Sequence, residues 1–426
     1  MSAEDGVSVL LAETFRTEWA RLVALTMRLV GDLQAAEDVV QDVLVSAMDR
    51  WPLVGVPDEP AAWMMTACRN RALNVLRDSG RARVRMKELA TTLDAGPSDD
   101  VPSAPTIPDD RLRLVFICCH PVLPVDAQVA LTLRMLGGLS TEEIARAWHL
   151  PSATIGQRIA RAKRTLAEKK VPFEEPTGAE LARRLPAVVD VVYLIFNEGY
   201  LASSGVQLMR RPLAMEAHRL SRLLTDLLPD QPTPWALRAL IAFQRSRDDT
   251  RLDKSGRLLT LEQQDRSRWN RVLIAEGRDA MARAEDAIVG RVPDPLLLQA
   301  RIAGCHATAP SYDATDWTTI RDCYDHLLAG THNPVVALNR AVAVAMVDGP
   351  EAALPLLDAL VDDPALAKAH RVWAVRADIL RRMGDRGRAV LDYDIALAQV
   401  DNDIERHHLA DMRAACVVEP TNYQKG

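Results

Sequence analysis

Residues 139–166 constrain the fold of this chain most, because they carry the signals of two short helices joined by a tight turn. Ser140 can cap the first helix, and Glu143, three residues later, can reach back to close a capping box. Residues 150–152 (Leu-Pro-Ser) are predicted to end the first helix and to cap the second. We therefore predict a helix-turn-helix; the alternative is a basic amphipathic helix in an ordinary bundle.

The second of these helices has one apolar face and one polar, cationic face. The inward positions of the second helix recur at helical spacing and are Ile155, Ile159, Ala162 and Leu166. In the first helix, Ile144 and Ala147 are predicted to face inward as well. Its outward positions are Thr154, Gln157, Arg158, Arg161 and Arg164. Because an apolar back and a cationic front suit a helix in the major groove, we predict that these five residues read DNA.

The basic charge of the chain is local. The whole sequence has a net charge of -6, which argues against a general polyanion binder. Residues 152–170, however, hold six basic residues against one acid, and residues 69–87 hold seven against one. A single charge run usually marks a solvated face, but two clusters beside a reading helix predict two separate contacts with phosphate backbone.

Residues 88–110 separate the two clusters and read as a flexible acidic linker. This segment has four prolines, six acids and no Lys or Arg, so it cannot form a packed core. We predict small helical modules on either side of it, at residues 8–87 and 111–170.

The first module combines an acidic face with a polar aromatic face. Residues 36–50 carry an apolar stripe opposite acidic and polar outer positions that include Glu37, Asp38, Gln41 and Asp42. A Pro-rich loop is predicted at residues 51–60. A helix from Ala61 then aligns Trp63, Thr66, Asn70, Asn74 and Arg77. Such a face can stack on and hydrogen-bond unpaired bases, although a half-buried Trp with a polar rim fits equally well.

The order of these parts resembles bacterial sigma factors of the extracytoplasmic-function group. Three segments carry the resemblance: AEDVVQDVLVSAMDRWP is similar to their region 2.2, PAAWMMTACRNRALNVLRDSGR to regions 2.3 and 2.4, and LSTEEIARAWHLPSATIGQRIARAKRTL to region 4.2. One departure is Gly156-Gln157, where the family usually has Lys or Arg followed by Ser. The −35 sequence that is read, or the affinity for it, is therefore expected to differ.

The resemblance implies partners and sites. Core RNA polymerase is expected to bind through its β′ coiled coil to Asp38, Gln41 and Asp42, and through its β flap to region 4. The loop at 52–60 is expected to help capture a flipped −10 base, with −10 contacts from Trp63, Thr66, Arg69, Asn70, Asn74 and Arg77. The five outward residues of the second helix would read the −35 element. The acidic linker would thread the nucleic-acid path of the polymerase.

Residues 175–426 are predicted to form an α-helical repeat extension, which makes the whole chain all-α. Gly349 and Gly384 begin similar segments 35 residues apart, close to the tetratricopeptide period of about 34. The concave face of such an array is a candidate surface for a regulatory protein. Motifs such as VVYLIFNEGYLASSG and LEQQDRSRWNRVLIAEG resemble the extension of one subgroup of these sigma factors.

Polar residues in these motifs are too many for plain helix packing. We expect a buried polar network that joins hairpins or contacts the sigma part, with a ligand pocket as the alternative. The candidates for such interdomain contacts are Asn197, Glu198, Tyr200, Asp265, Arg266, Arg268 and Trp269.

Other functional classes find little support. The six cysteines lack the spacing of zinc sites, so we expect free thiols, no metal and no cofactor. No phosphate loop or hydrolase motif predicts an enzyme. With no leader segment and no long apolar run, a cytoplasmic protein without membrane contact is expected. The main alternative to a sigma factor is an effector-controlled helix-turn-helix regulator, which would not need the module at residues 8–87. A further alternative is a metalloenzyme with a DNA-binding anchor, which would need bound zinc.

Overall fold

A computed structural model describes most of the chain, and its regular structure is helical. The described residues are 3–78, 110–148, 150–174, 176, 178–200, 209–288, 292–330, 333–364, 366, 369–400 and 402–417. Within these ranges no β-strand forms, and one isolated bridge pairs Leu252 with Leu258. The predicted all-α class is confirmed. The predicted linker lies outside the described residues except for Asp110.

The chain divides into two compact units, Met1–Leu194 and Ile195–Gly426. The helices of the first unit are α1 (Ala3–Val30), α2 (Leu33–Val54), α3 (Pro60–Asp78), α4 (Asp110–Cys118), α5 (Val125–Met135), α6 (Thr141–Trp148) and α7 (Ser152–Glu168). Helix α8 (Gly178–Tyr200) contributes to both units. None of the helices in the described part of the chain is long and apolar enough to span a membrane.

Helices α1, α2 and α3 pack together because each buries one apolar stripe. In α2 the side chain of Asp32 caps the first turn by accepting from the Ala35 amide at 2.8 Å. The predicted stripe is buried at Ala36, Val39, Val40, Val43 and Ala47, and Leu44 is half-buried. The outer positions of α2 other than Glu37 are exposed and remain available for contacts with other molecules.

The loop predicted at residues 51–60 is shorter than expected. Helix α2 continues through Pro52 to Val54, and α3 begins at Pro60. The last turn of α2 persists because Trp51 is buried at 1% exposure, and because the Gly55 amide donates to the Trp51 carbonyl at 3.0 Å. This anchoring offsets the hydrogen bond that Pro52 cannot make.

Helices α4 to α7 form the second part of the first unit. Their core includes Phe116, Leu131, Leu133 and Met135, all nearly inaccessible to solvent. Helix α1 packs against both α4 and α5, so the two predicted modules of this unit are in direct contact.

The second unit continues with α9 (Arg211–Leu227), α10 (Pro232–Arg245), α11 (Arg271–Ala287), α12 (Pro295–Thr308), α13 (Trp317–Ala329), α14 (Pro334–Val347), α15 (Pro350–Val361), α16 (His370–Arg382), α17 (Arg386–Gln399) and α18 (Asp403–Val417). Successive helices pack on one another throughout. Two glycines permit the close approach of α10, α11 and α12, since a Cβ at Gly277 would lie 2.6 Å from Cδ1 of Phe243 and one at Gly304 would lie 3.2 Å from its Cε2.

A single carboxylate, Glu276 on α11, connects three helices of the second unit. It accepts hydrogen bonds from His218 and Arg222 on α9 and from Arg238 on α10, at 2.5–3.1 Å. Burial alone would raise the pKa of Glu276, but these hydrogen bonds outweigh it and hold the pKa well below its usual range. Glu276 is therefore ionised and acts as a structural anchor for the start of the array.

The repeat predicted from the spacing of two glycines is confirmed in the hairpins α14–α15 and α16–α17. Gly349 precedes α15 with φ +94°, and Gly384 precedes the cap of α17 with φ +86°. Both turns thus use a backbone conformation that L side chains rarely adopt.

We predict different effects from alanine at two glycines three residues apart. Gly384→Ala should destabilise the protein by about 1–2 kcal/mol, because alanine resists the left-handed conformation. Gly387→Ala is the matched control; it lies in α17 with no steric neighbour closer than 4.0 Å, so it should be neutral or slightly stabilising. Urea unfolding of the full chain measures both, and equal midpoints for the two variants would contradict the repeat-turn interpretation.

Candidate nucleic-acid interface

Helices α6 and α7 form the predicted helix-turn-helix. The capping box at its start is present: the Glu143 amide donates to Ser140 Oγ at 3.1 Å, and the Ser140 amide donates to Glu143 Oε2 at 2.7 Å. One detail of the prediction is wrong, since Ser152 is the first helical residue of α7 and does not cap it. The N-cap is Pro151, whose extended backbone (φ −60°, ψ 138°) starts the helix without a side-chain hydrogen bond.

The two faces of α7 are divided as predicted, with one exception. Ile155, Ile159, Ala162 and Leu166 are buried, and Ile144 of α6 is completely buried. The exception is Lys163, which belongs to the predicted phosphate-contacting cluster but is only 8% exposed. One positive charge of that cluster therefore lies inside the protein and is not exposed for contact with phosphate.

The outward face of α7 presents the predicted −35 residues. Thr154, Gln157, Arg161 and Arg164 are exposed. Arg158 is half-buried, and its Nε lies 3.1 Å from Oδ2 of Asp126 at the start of α5. Arg158 and Asp126 line a groove of about 230 Å³ together with Thr154, Gln157 and Arg161. Four of the five predicted −35 residues thus share one groove.

Helix α3 presents the predicted −10 residues as an exposed strip. Thr66, Arg69, Asn70, Asn74 and Arg77 are exposed, and Arg77 donates to Asn74 Oδ1 at 3.0 Å. Trp63 is half-buried, and its ring meets the ring of buried Trp51 edge-on at 5.6 Å. The edge contact fixes one side of the Trp63 ring while the residue stays partly accessible, which suits a base-stacking platform.

The predicted polymerase-binding residues lie on the exposed face of α2. Asp38 accepts from Gln34 at 2.8 Å, and Asp42 pairs with Arg71 of α3 at 2.8 Å with both side chains about half exposed. Gln41 is exposed and donates to Glu37 Oε1 at 3.3 Å. Glu37 itself was expected on the same outer face, and that expectation is wrong because its exposure is 3%. It pairs with Lys163 and Arg134, two residues that the site prediction missed.

The residues predicted to make interdomain contacts form polar links inside the second unit. Glu198 pairs with Arg210. The Arg251 guanidinium lies 4.0 Å from the centre of the Tyr200 ring. Arg266 donates hydrogen bonds to the His306 and Ala309 carbonyls. The Arg266 guanidinium also lies over the ring of buried Trp269, and Asp265 accepts a hydrogen bond from the Ser267 amide. The remaining two candidates, Asn197 and Arg268, are exposed. These links join hairpins, which was one of the two alternatives; contact with the sigma part stays a prediction.

The cysteines are all free thiols, five of them buried and Cys305 half-buried. Burial raises the pKa of Cys119 to about 12 and that of Cys305 to about 11, so neither thiol is reactive at neutral pH. Across the described ranges, no three His, Cys, Asp or Glu side chains are grouped as metal ligands would be.

Three family models match the chain in order. Sigma-70 region 2 matches residues 15–82, sigma-70 region 4 matches residues 113–166, and a family of unknown function (DUF6596) matches residues 184–285. The first two matches lie inside the modules predicted at 8–87 and 111–170, and the third lies inside the predicted extension.

Curated relatives agree with these matches. An uncharacterized protein of Rhizobium meliloti is 38% identical over 397 residues, covering 92% of this chain and 93% of the relative. A probable ECF RNA polymerase sigma factor SigI of Mycobacterium tuberculosis is 30% identical over 173 residues, 40% of this chain and 58% of that protein. The ECF RNA polymerase sigma-E factor of Haemophilus influenzae is 31% identical over 142 residues, covering 32% of this chain and 75% of that factor. The chain therefore belongs to the extracytoplasmic-function RNA polymerase sigma factors and carries a helical C-terminal extension.

Proposed function

We propose that this sigma factor binds core polymerase through α2, reads the −35 element through α7 and captures −10 bases through α3. Sigma factors start transcription and are not enzymes, so all of this work is done by binding energy. The observation that carries the proposal is the presence of three exposed surfaces of different chemistry in one unit: acidic on α2, polar with an aromatic ring on α3, and cationic on α7. The site of action would be the cytoplasm, where polymerase and promoter DNA meet.

The α2 surface suits a basic partner such as the β′ coiled coil. Asp38 and Asp42 are one helical turn apart and exposed, and their intramolecular partners Gln34 and Arg71 are exposed as well. Exposed pairs of this kind contribute about 0–1 kcal/mol, so a partner can replace them at little cost. The exposed apolar side chains of Val45, Met48 and Leu53 continue the surface along the same helix.

We predict that Asp38→Lys/Asp42→Lys weakens binding to core polymerase by about 2–5 kcal/mol, because it places like charges in a desolvated interface. The matched control is Glu180→Lys/Asp190→Lys on α8, which changes the net charge equally on an exposed surface outside the proposed interface. Titration of core enzyme with the labelled full chain measures both variants. Equal affinities for the two double variants would exclude α2 as the binding surface.

The α7 surface separates base reading from phosphate contact. Arg161 lies in the groove beside Thr154 and Gln157, whereas Lys169 and Lys170 follow the end of the helix and are exposed. Groove residues that reach base edges specify sequence, and cations at the rim attract phosphate without regard to sequence. Gly156 is half-buried, and a Cβ there would lie 3.7 Å from Cγ2 of Thr141 on α6. Gly156-Gln157 stands where typical relatives have Lys or Arg followed by Ser, which supports a different −35 preference.

We predict that Arg161→Ala relaxes the preference at one −35 position by about 1–3 kcal/mol. Lys169→Ala is the matched control; it should weaken binding to every sequence alike and lower the salt dependence by about one phosphate contact. Binding of the reconstituted holoenzyme to promoters with single −35 substitutions tests both. A uniform loss of affinity with Arg161→Ala would mean that Arg161 contacts phosphate rather than a base.

We further propose that the second unit modulates the sigma part by binding a regulatory protein. An open groove of about 940 Å³ lies along α11, α12 and α13, and it is lined by side chains of both charges, among them Arg278, Glu285, Arg301 and Asp322. Because the groove is open along three helices and carries charges of both signs, it supports recognition of a polypeptide segment more than that of an enclosed apolar ligand.

A further inference from the structure

Glu37 is the most unusual charged residue of the first unit, because it is buried between two modules that are distant in sequence. Its Oε1 accepts from Nε of Arg134 on α5 at 2.6 Å, and its other oxygen pairs with Nζ of Lys163 on α7. The side chains of Glu37 and Lys163 are 4% and 8% exposed. Gln34 supports the same lysine by accepting from Nζ at 2.9 Å.

An aromatic contact seals the same interface. The Trp19 indole of α1 donates to the Arg134 carbonyl at 2.9 Å, and the Arg134 guanidinium lies 5.5 Å from the centre of the Trp19 ring. Gly138, with φ +65°, leaves room for Trp19, since a Cβ there would lie 3.2 Å from the ring. At the far end of α1, Arg28 pairs with Asp110 at 3.4 Å.

The ion pairs of Glu37 make the contact between the two modules specific, yet they allow the modules to separate. A buried carboxylate is tolerated only while its cations stay in place, and the removal of one partner leaves an uncompensated charge. When the modules separate, however, all three charges regain water, which offsets much of what the ion pairs contribute. The ion pairs therefore favour one closed arrangement, in which the two modules are in contact, without making it permanent.

The closed arrangement is incompatible with simultaneous reading of both promoter elements. Elements centred near −10 and −35 are about 25 base pairs apart, which is roughly 85 Å along B-DNA at about 3.4 Å per base pair. Lys163 and Glu37, by contrast, are in direct contact and belong to the α7 and α2 helices. Residues 79–109 connect the modules and can extend to about 100 Å, so the chain is long enough for separation.

We propose that Glu37, Arg134 and Lys163 form an intramolecular latch that holds the −10 and −35 modules together in the free protein. The proposal rests on the function proposed above. Core polymerase releases the latch by binding α2, because Gln41 contacts Glu37 directly and Gln34 contacts both Asp38 and Lys163. Binding energy at the exposed face of α2 is thereby coupled to the freeing of α7.

The test measures the distance between the modules in the full chain by energy transfer. Dyes are attached at Arg21→Cys on α1 and Glu168→Cys on α7, both exposed positions; the parent protein, with its native thiols largely buried, controls for stray labelling. The free protein should show one high-transfer population, and addition of core polymerase with promoter DNA should convert it to low transfer. A free protein that is mainly in a low-transfer state would overturn the latch without any variant.

Three variants should open the free protein to different extents. Glu37→Gln leaves buried Lys163 and half-buried Arg134 without a carboxylate and should raise the open population about tenfold or more. Lys163→Met leaves the Glu37–Arg134 pair intact and should open the protein less. Glu180→Gln removes a carboxylate from an exposed ion pair within α8 and should match the parent. Equal opening by Glu37→Gln and Glu180→Gln, with helical content unchanged by circular dichroism, would overturn the latch.

The same labelled protein separates failure of the latch from failure of the proposed function. If it supports transcription with core polymerase but is open when free, the latch is wrong and the function stands. If it is closed when free and neither binds core polymerase nor opens with it, the proposed function is wrong and the latch loses its role.

Discussion

Burial of one apolar stripe per helix is the constraint on which the rest of this protein depends. A helix that packs its stripe inward must present the opposite face outward, and that outer face is free to carry function. In α2, α3 and α7 the outer faces are acidic, polar with an aromatic ring, and cationic, while the inner faces are buried. The three proposed binding surfaces thus follow from packing, and together they would let one unit contact polymerase and two DNA elements.

The same constraint explains what the sequence predicts well. Period-3.6 patterning places Ile155, Ile159 and Leu166 inside and Arg161 and Arg164 outside, and the Ser140–Glu143 capping box is local in sequence. The repeat around Gly349 and Gly384 is predictable for a similar reason, since a left-handed turn needs glycine wherever it occurs.

Periodicity fails where a charge is paired across modules. Glu37 lies in a helical row with Leu33, Val40 and Leu44, and Lys163 lies in a row with Ile155, Ile159 and Leu166. A charge in an apolar row is a signal that could have been read, but it does not identify the partner, which lies more than a hundred residues away. Pro52 shows a second limit: the buried ring of Trp51 carries the helix past a residue that usually ends one.

A sigma factor that directs core polymerase to promoters through both elements at once must select its start sites by two motifs, and multi-template transcription measures that selection. Core polymerase is mixed with the full chain and a pool of genomic fragments, and the 5′ ends of the transcripts are mapped. We expect start sites that require the chain and share two upstream motifs at a fixed spacing. The absence of chain-dependent transcripts, or start sites that share neither motif, would contradict it.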